Sequence, residues 1–304
     1  MGSAVRGVWR PSVTVVIPTL NGAEFLDEVL SALEGQRHVG SLEILVVDSG
    51  SFDDTLDIVA RYPSVTLRHI PKREFGHGRT RQKAAEWAKG EVVAYLTQDA
   101  TPASPRWLCD LVAPLADPEV AGVVGRQIPR PGCVPLIKYD IERVFRDPPT
   151  DFYSDTNSAA RKATLLGPVP YRDVDFSEDY AFAQDAIRAG MRIAYAPTAA
   201  VLHSNEVSVR GYVERMRAEV RGHAAAGVPL PRYSALGATL RAVRGMLTDS
   251  GRILLDTDYG LRRSLYWLVK NPAYHVARWR GIYLGGKEVA SARYARARST
   301  NRTE

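Results

Sequence analysis

Polar residues able to hold a nucleotide stand in three tight clusters, each directly after an apolar run: Thr19 and Asn21, Asp48 and Ser49, then Gln98 and Asp99. Hydroxyls, amides and carboxylates supply hydrogen-bond partners for a base or ribose, and a carboxylate such as Asp99 also suits an oxygen-seeking divalent cation. A helix N-cap ahead of Pro102 is the plainer reading of Asp99. Arg79 and Arg81 open a helical segment, where guanidinium charge and backbone N–H groups both favour an anion. An exposed basic helix end accounts for them equally well. Glu178 and Asp179 fall in the first turn of another helical segment, as carboxylates for proton transfer or as ordinary helix N-terminal charge. His203 follows Val201 and Leu202, either as a packed structural residue or as a ligand.

The elements that must position these residues alternate in type. Val13 to Ile17 is a β-branched run closed by Pro18, and Phe25, Leu26, Val29, Leu30 and Leu33 form one helical face ended by Gly35. Leu42 to Val47, Val65 to Ile70 and Val92 to Leu96 are further strands, separated by helices over residues 53–59 and 80–89. Strand and helix in alternation predict an α/β fold with a parallel sheet covered on both faces. Ligands in such sheets bind beyond the carboxyl ends of the strands, so the three polar clusters converge on one crevice. The dinucleotide fingerprint and the P-loop are both absent, and Gly76-His77-Gly78 is a lone G-x-G that a turn explains. Hydride transfer and P-loop NTP hydrolysis are therefore excluded as leading classes.

The residues at these strand ends resemble the inverting family 2 glycosyltransferases of the GT-A fold. Val15-Val16-Ile17-Pro18-Thr19-Leu20-Asn21-Gly22 is similar to the family's V-I-P-T-x-N-G opening, and Val47-Asp48-Ser49-Gly50-Ser51-Phe52-Asp53-Asp54-Thr55 to its V-D-S-G-S-x-D-x-T segment. Phe75-Gly76-His77-Gly78-Arg79-Thr80-Arg81, Leu96-Thr97-Gln98-Asp99-Ala100 and Gly125-Arg126-Gln127-Ile128-Pro129 look like the bacterial rhamnosyltransferase branch. Asn157-Ser158-Ala159, Ser177-Glu178-Asp179 and His203-Ser204 continue that likeness over roughly residues 13–210.

The resemblance implies a Rossmann-like, mostly parallel sheet and direct displacement with inversion. It makes Asp179 the general base, with Glu178 orienting the acceptor or a neighbouring group. It makes Asp99 a ligand to Mg²⁺ or Mn²⁺, with His203 completing the shell. The family's D-x-D reads Thr97-Gln98-Asp99 here, so the first carboxylate is missing and the ribose contact passes to Thr97 or backbone. Pro18, Thr19, Asn21, Asp48, Arg79, Arg81, Thr97, Gln98, Arg126 and Gln127 are the expected donor contacts. Asp48 is placed on the imide N–H of a pyrimidine, and Arg126 and Gln127 follow a strand over Val120 to Val124 to line the sugar pocket. Asn157 is placed in that pocket too. Trp107 is either an acceptor platform or the core residue of an amphipathic helix.

Composition divides the chain at about residue 205. Residues 206–304 hold 18 Lys and Arg against 8 Asp and Glu, whereas residues 1–205 hold 22 against 26. The expected organisation is therefore a catalytic domain over 1–205 and a basic, mainly helical region over 206–304. Tyr266, Trp267, Tyr274, Trp279 and Tyr283 interleave with Arg262, Arg263, Lys270, Arg278, Arg280 and Lys287, which suits a membrane interface or a solvated helical cap. Arg293, Arg296, Arg298 and Arg302 read as a mobile tail. No run of about 18 apolar residues occurs, Met1 to Arg10 lack a signal-like apolar core, and Cys109 and Cys133 lack metal-ligand spacing. The expected location is cytoplasmic, peripheral on the inner membrane face. The expected reaction moves L-rhamnose from dTDP-L-rhamnose, or a sugar from a UDP-sugar, to a saccharide on a polyprenyl diphosphate. A soluble transferase acting on a small natural product and a non-catalytic nucleotide-binding protein are the alternatives; no nucleic-acid partner is expected, and oligomeric state is not legible.

Overall fold

The computed structural model describes residues 9–37, 40–204, 207–228, 230 and 233–300, with side chains described as far as residue 292. Two compact units emerge. The first comprises residues 1–128, 147–173 and 179–203, the second residues 129–146, 174–178 and 204–304. The chain is thus not divided by one cut at residue 205, because two internal segments group with the C-terminal helices.

The first unit is built on an eight-stranded sheet of order β3-β2-β1-β4-β7-β6-β8-β5. Its parallel half is formed by β1 (Val13–Thr19), β2 (Leu42–Asp48), β3 (Val65–His69) and β4 (Val92–Leu96). β1 and β4 read as largely aliphatic runs because they are covered on both faces, and every residue of β4 is buried, whereas β3 at the sheet edge carries Arg68 and His69 and is only partly buried. β1 does not stop at Pro18. Its pairing with β4 ends at Val16 while its pairing with β2 runs to Thr19, so Pro18 lies where β1 has an open side that tolerates a missing N–H.

The other half is mixed. β7 (Asn157–Arg161) runs antiparallel to both β4 and β6 (Val120–Ile128), while β6 and β8 (Arg192–Leu202) are parallel. The two-residue β5 (Thr101–Pro102) pairs antiparallel with the end of β8. β6 continues four residues beyond Val124, so Arg126 and Gln127 lie within the strand and not after it.

Helices α1 (Leu26–Glu34), α2 (Thr55–Ala60), α3 (His77–Trp87) and α4 (Trp107–Val112) follow the early strands. α1 buries Leu26, Val29, Leu30 and Leu33, the face its spacing predicts, and ends at Gly35. Helix α5 (Pro135–Arg146), which the sequence reading did not anticipate, belongs to the second unit. α6 (Lys162–Leu165) and α7 (Glu178–Arg188) complete the series before the tail. α7 buries Ala181, Phe182, Ala183 and Ala186, while Ile187 is exposed.

The tail is helical: α8 (Val209–Ala225), α9 (Ala235–Leu255) and α10 (Leu261–Thr300). Leu254 lies in the last turn of α9, and Leu261 opens α10. Ser208 and Ser234 cap α8 and α9, each accepting the backbone N–H three residues on. α10 crosses α8 closely at Gly281 and Gly285. A Cβ would come within 2.6 Å of Met216 Cβ at the first and 2.9 Å of Val220 Cβ at the second, so only glycine lets the backbones approach this far. Tyr274 and Trp267 pack into the core of this unit with Tyr212 and Met216, and Arg278 pairs with Asp140 at 2.6 Å. Those three are therefore structural and not an outward interfacial belt. The side chains of Arg293, Arg296 and Arg298, and the whole of Arg302, lie outside the described residues.

Candidate active site

Three strand-end loops of the first unit are sewn together by their own polar groups. Gln98 pairs with the backbone of Leu20 in both directions: its Oε1 accepts the Leu20 N–H at 2.9 Å, and its Nε2 donates to the Leu20 carbonyl at 3.1 Å. The Asn21 N–H donates to Ser51 Oγ at 2.9 Å, and Asn21 Oδ1 accepts the Phe52 N–H at 3.0 Å. Gly22 and Ala23 donate to Thr55 Oγ1 and Asp53 Oδ2. Asn21 sits at φ +50°, a left-handed conformation that asparagine tolerates better than most residues. The buried Thr19 hydroxyl donates to the Ile17 carbonyl, and the Thr19 carbonyl takes the N–H and Oγ of Ser49. Pro18 is half-buried in β1.

Asp48 departs from expectation. Its side chain is buried, and its two oxygens accept from the N–H groups of Gly50 and Ser51 and from Ser51 Oγ, with His69 Nδ1 at 3.4 Å. The turn thus supplies three donors to a carboxylate that can accept about four. Asp48 shapes its loop through these bonds. Phe52, which the sequence reading passed over, projects from the same loop and is 87% exposed.

The far end of the sheet brings Asp99 and His203 together. After β4 the chain turns through Thr97 to Ala100 and enters β5, whose pairing of Thr101 with Leu202 sets the turn against the end of β8. Asp99 Oδ2 then lies 3.6 Å from His203 Nε2. The His203 ring is buried, and its Nδ1 lies 3.0 Å from Gln127 Oε1, an acceptor. Nδ1 therefore carries a proton, and Nε2 is the ring nitrogen that faces Asp99. An imidazole oriented this way by its second nitrogen is the usual arrangement around a bound metal. Gln127 is buried and acts on His203; it does not line a sugar pocket. The residues fit a divalent cation as a two-ligand set, one oxygen and one nitrogen, with the remaining positions open to diphosphate oxygens and water. Among the described residues no group of three or more acidic, histidine or cysteine side chains is placed to hold a metal by itself. The Thr97 hydroxyl is buried and makes no hydrogen bond within the described residues.

Two other expected contacts are built into the core. Trp107 is fully buried and donates its indole N–H to Asn157 Oδ1 at 2.9 Å, while Asn157 Nδ2 donates to the carbonyls of Arg126 and Ala199. This pair locks α4 to the sheet, so neither residue presents a surface to an acceptor or sugar. Arg126 itself is exposed. The two arginines of α3 diverge. Arg79 is exposed and bidentate to exposed Asp173, with Nε and Nη2 at 3.0–3.1 Å. Arg81 is buried and faces Asp155 at 3.1 Å, so it serves an internal ion pair and not a diphosphate.

Asp155 was not singled out from the sequence, because an acidic residue in an Asp-Thr-Asn-Ser loop carries no signal of burial. It also accepts from Ser158 Oγ at 2.9 Å and Tyr171 Oη at 2.6 Å. Burial, then the Asp155 charge, pushes the phenols of Tyr171, Tyr153 and Tyr95 far above their ordinary range, so they remain neutral donors. Tyr153 also feels the charge of Asp179.

Asp179 is half-buried in the first turn of α7, and its Oδ1 accepts the Tyr180 N–H at 2.7 Å. Glu178 is buried beside it in sequence and groups with the second unit. Ser177, immediately before the helix, has φ +63°. Asn21 and Ser177 are the two non-glycine residues with positive φ among the described residues, and both stand next to expected site residues. Backbone strain of this kind costs about 1–3 kcal/mol and concentrates at functional sites.

The family model described as glycosyl transferase family 2 matches residues 14–177. The O-antigen chain rhamnosyltransferase RfbN of Salmonella typhimurium is 31% identical over 222 residues, covering 67% of this chain and 69% of that protein. WbaN of Salmonella anatum, also named an O-antigen chain rhamnosyltransferase, is 32% identical over 67% of this chain and 70% of its own length. Among solved structures, a mannosyltransferase from Pyrobaculum calidifontis in complex with GDP-Man and Mn²⁺ superposes with a TM-score of 0.60 at 22% identity, covering 93% of this chain and 87% of that one. Glucosyl-3-phosphoglycerate synthase from Mycobacterium tuberculosis with Mn²⁺ and UDP gives 0.53 at 20% identity over 72% of this chain and 81% of that one. The chain belongs to glycosyl transferase family 2 and is a glycosyltransferase of the GT-A fold.

Proposed function

We propose that this glycosyltransferase moves a single sugar, L-rhamnose from dTDP-L-rhamnose, to a saccharide acceptor with inversion. The observation that carries the rhamnose reading is the likeness, across two thirds of the chain, to two relatives named as O-antigen chain rhamnosyltransferases. Such a product belongs to surface-polysaccharide assembly, with the acceptor saccharide borne on a polyprenyl diphosphate. The nucleotides in the solved relatives do not select the base, since one holds GDP-Man and another UDP.

In this reading Asp99 and His203 hold a Mg²⁺ or Mn²⁺ ion, which when bound supplies positive charge at the departing diphosphate. Gln127 keeps His203 in the ligating tautomer. The donor lies against the loops joined by Gln98, Asn21 and Ser51, with Phe52 offering an aromatic face to the base and Arg126 near the sugar. Arg79 exchanges its exposed Asp173 partner for a phosphate oxygen, an exchange that costs little because a surface ion pair contributes at most about 1 kcal/mol. An acceptor hydroxyl attacks the anomeric carbon, the bond from that carbon to the diphosphate oxygen breaks, and the hydroxyl proton passes to the Asp179 carboxylate.

The test is a donor panel: purified protein with dTDP-rhamnose, UDP-glucose, UDP-galactose or GDP-mannose, each with Mn²⁺ or Mg²⁺, reading slow donor hydrolysis. The expected result is turnover of dTDP-rhamnose above the others. Preference for GDP-mannose overturns the rhamnose reading, and full turnover in EDTA removes the ligand roles of Asp99 and His203.

A further inference from the structure

We propose that helix α9 docks, in the plane of the membrane, on an anionic phospholipid surface through its outward leucine stripe. This goes beyond the transfer reaction and does not depend on which donor or acceptor is used. Leu236, Leu240, Val243, Leu247 and Leu254 recur at intervals of four, three, four and seven residues, which at 100° per residue places them on one narrow face. All five are between 42% and 69% exposed. The opposite face of the same helix holds Ala238, Ala242, Asp249 and Ile253, all buried. α9 thus buries two alanines and, of its large aliphatic residues, Ile253, while displaying the leucines and Val243, the reverse of a helix whose outer face meets only water.

The neighbouring helix repeats the pattern: Leu261, Leu265 and Val269 near the start of α10 are 56–78% exposed. Val243 of α9 and Val276 of α10 line one open groove of about 320 Å³, so apolar surface continues between the two helices.

Charge selects the occupant. The one carboxylate of α9, Asp249, lies on the buried face against His275 Nε2 at 3.0 Å. Arg241, Arg244, Arg262, Arg263 and Lys270 are exposed on α9 and the start of α10. A second copy of this surface would bring like charges together, whereas anionic headgroups complement them. No helix among the described residues is long and apolar enough to cross a membrane, so insertion is limited to the depth of the side chains.

Full-length protein is mixed with vesicles of phosphatidylcholine alone or with about 30 mol % phosphatidylglycerol, at about 0.1 M salt, and bound protein is measured by flotation. Wild type is expected to float with the anionic vesicles. Leu240→Asp combined with Leu247→Asp is expected to lower partitioning by about tenfold or more while leaving the thermal midpoint unchanged, because both side chains are already exposed. Arg241→Glu with Arg244→Glu is expected to lose the preference for anionic over neutral lipid. Absence of wild-type binding, or wild-type binding by the leucine double variant, overturns the proposal. Sedimentation velocity without lipid closes the remaining route: a wild-type dimer that the leucine double variant dissociates assigns the stripe to a second copy and overturns the membrane reading.

Discussion

The two units place large apolar side chains in opposite ways. The largest fully buried side chains, among them Trp107, Tyr95, Phe182, Leu26 and Leu30, all belong to the first unit. Among the described residues, eleven of the sixteen exposed large hydrophobics lie between Leu236 and Val276 in the second. A sheet with both faces covered leaves few aliphatic residues to water, and its polar groups collect where the strands end. The helical unit is held by a smaller apolar core together with buried ion pairs, such as Lys138 with Asp256 at 2.7 Å, and leaves a hydrophobic face uncovered. The first arrangement suits a fixed site for chemistry. The second suits contact with something apolar outside the protein.

The sharpest way to test the first half of that contrast is Asp179→Asn, expected to lower sugar transfer by about 10²–10⁴-fold with donor affinity nearly unchanged, measured by initial rates and equilibrium binding. In the core, Leu30→Ala should destabilise by about 2–5 kcal/mol in denaturant titration, since this fully buried side chain leaves a cavity. For the helical unit, Lys138→Met leaves Asp256 buried without its cation and should cost about 3 kcal/mol. The pH dependence of that loss has a defined sign. Burial opposes the charge on both groups, yet the pairing holds Lys138 above and Asp256 below its ordinary pKa. The pair stabilises fully between about pH 4 and pH 10, declining as acid titrates Asp256 or alkali titrates Lys138. The gap between wild type and variant should therefore narrow outside that window.

Gln127→Ala should weaken divalent-cation binding by about tenfold, read as the concentration of Mn²⁺ giving half-maximal activity, with the thermal midpoint moved far less. The smallest effect belongs to the stripe of α9. Leu247→Ala should change stability by no more than about 0.5 kcal/mol. A loss there comparable with Leu30→Ala would show that this face is covered in solution and would erase the contrast between the units.

Strand ends were the most legible part of this sequence. Aliphatic runs closed by Pro18, Asp48 and Thr97 located β1, β2 and β4, because a strand buried on both faces is mostly apolar. What those terminal side chains do was less legible. Asp48, Arg81, Trp107 and Asn157 have the chemistry of ligand contacts, but Asp48 is engaged by its own turn, and the pairings of Arg81 with Asp155 and of Trp107 with Asn157 span 74 and 50 residues and so leave no local pattern. The extension of β6 past Val124 was hidden because Gly125, Arg126 and Gln127 lack the aliphatic character that marks a strand interior. Helix α9 showed its periodicity plainly, yet periodicity locates an apolar face without saying whether that face is covered.

The clamp between Gln98 and Leu20 has a consequence for how this pair of loops can vary. A Cβ on Gly22 would sit 2.7 Å from Gln98 Oε1 and 2.9 Å from Cδ, so any larger residue at 22 must push the amide off the Leu20 backbone. Shortening residue 98 would free that space but abandon both hydrogen bonds that tie the Asp99 turn to the first loop. Residues 22 and 98 are therefore sterically coupled, and a change at one is felt at the other. Alanine at 22 fits freely once the glutamine is replaced, whereas with the glutamine kept it displaces the amide that joins the two loops.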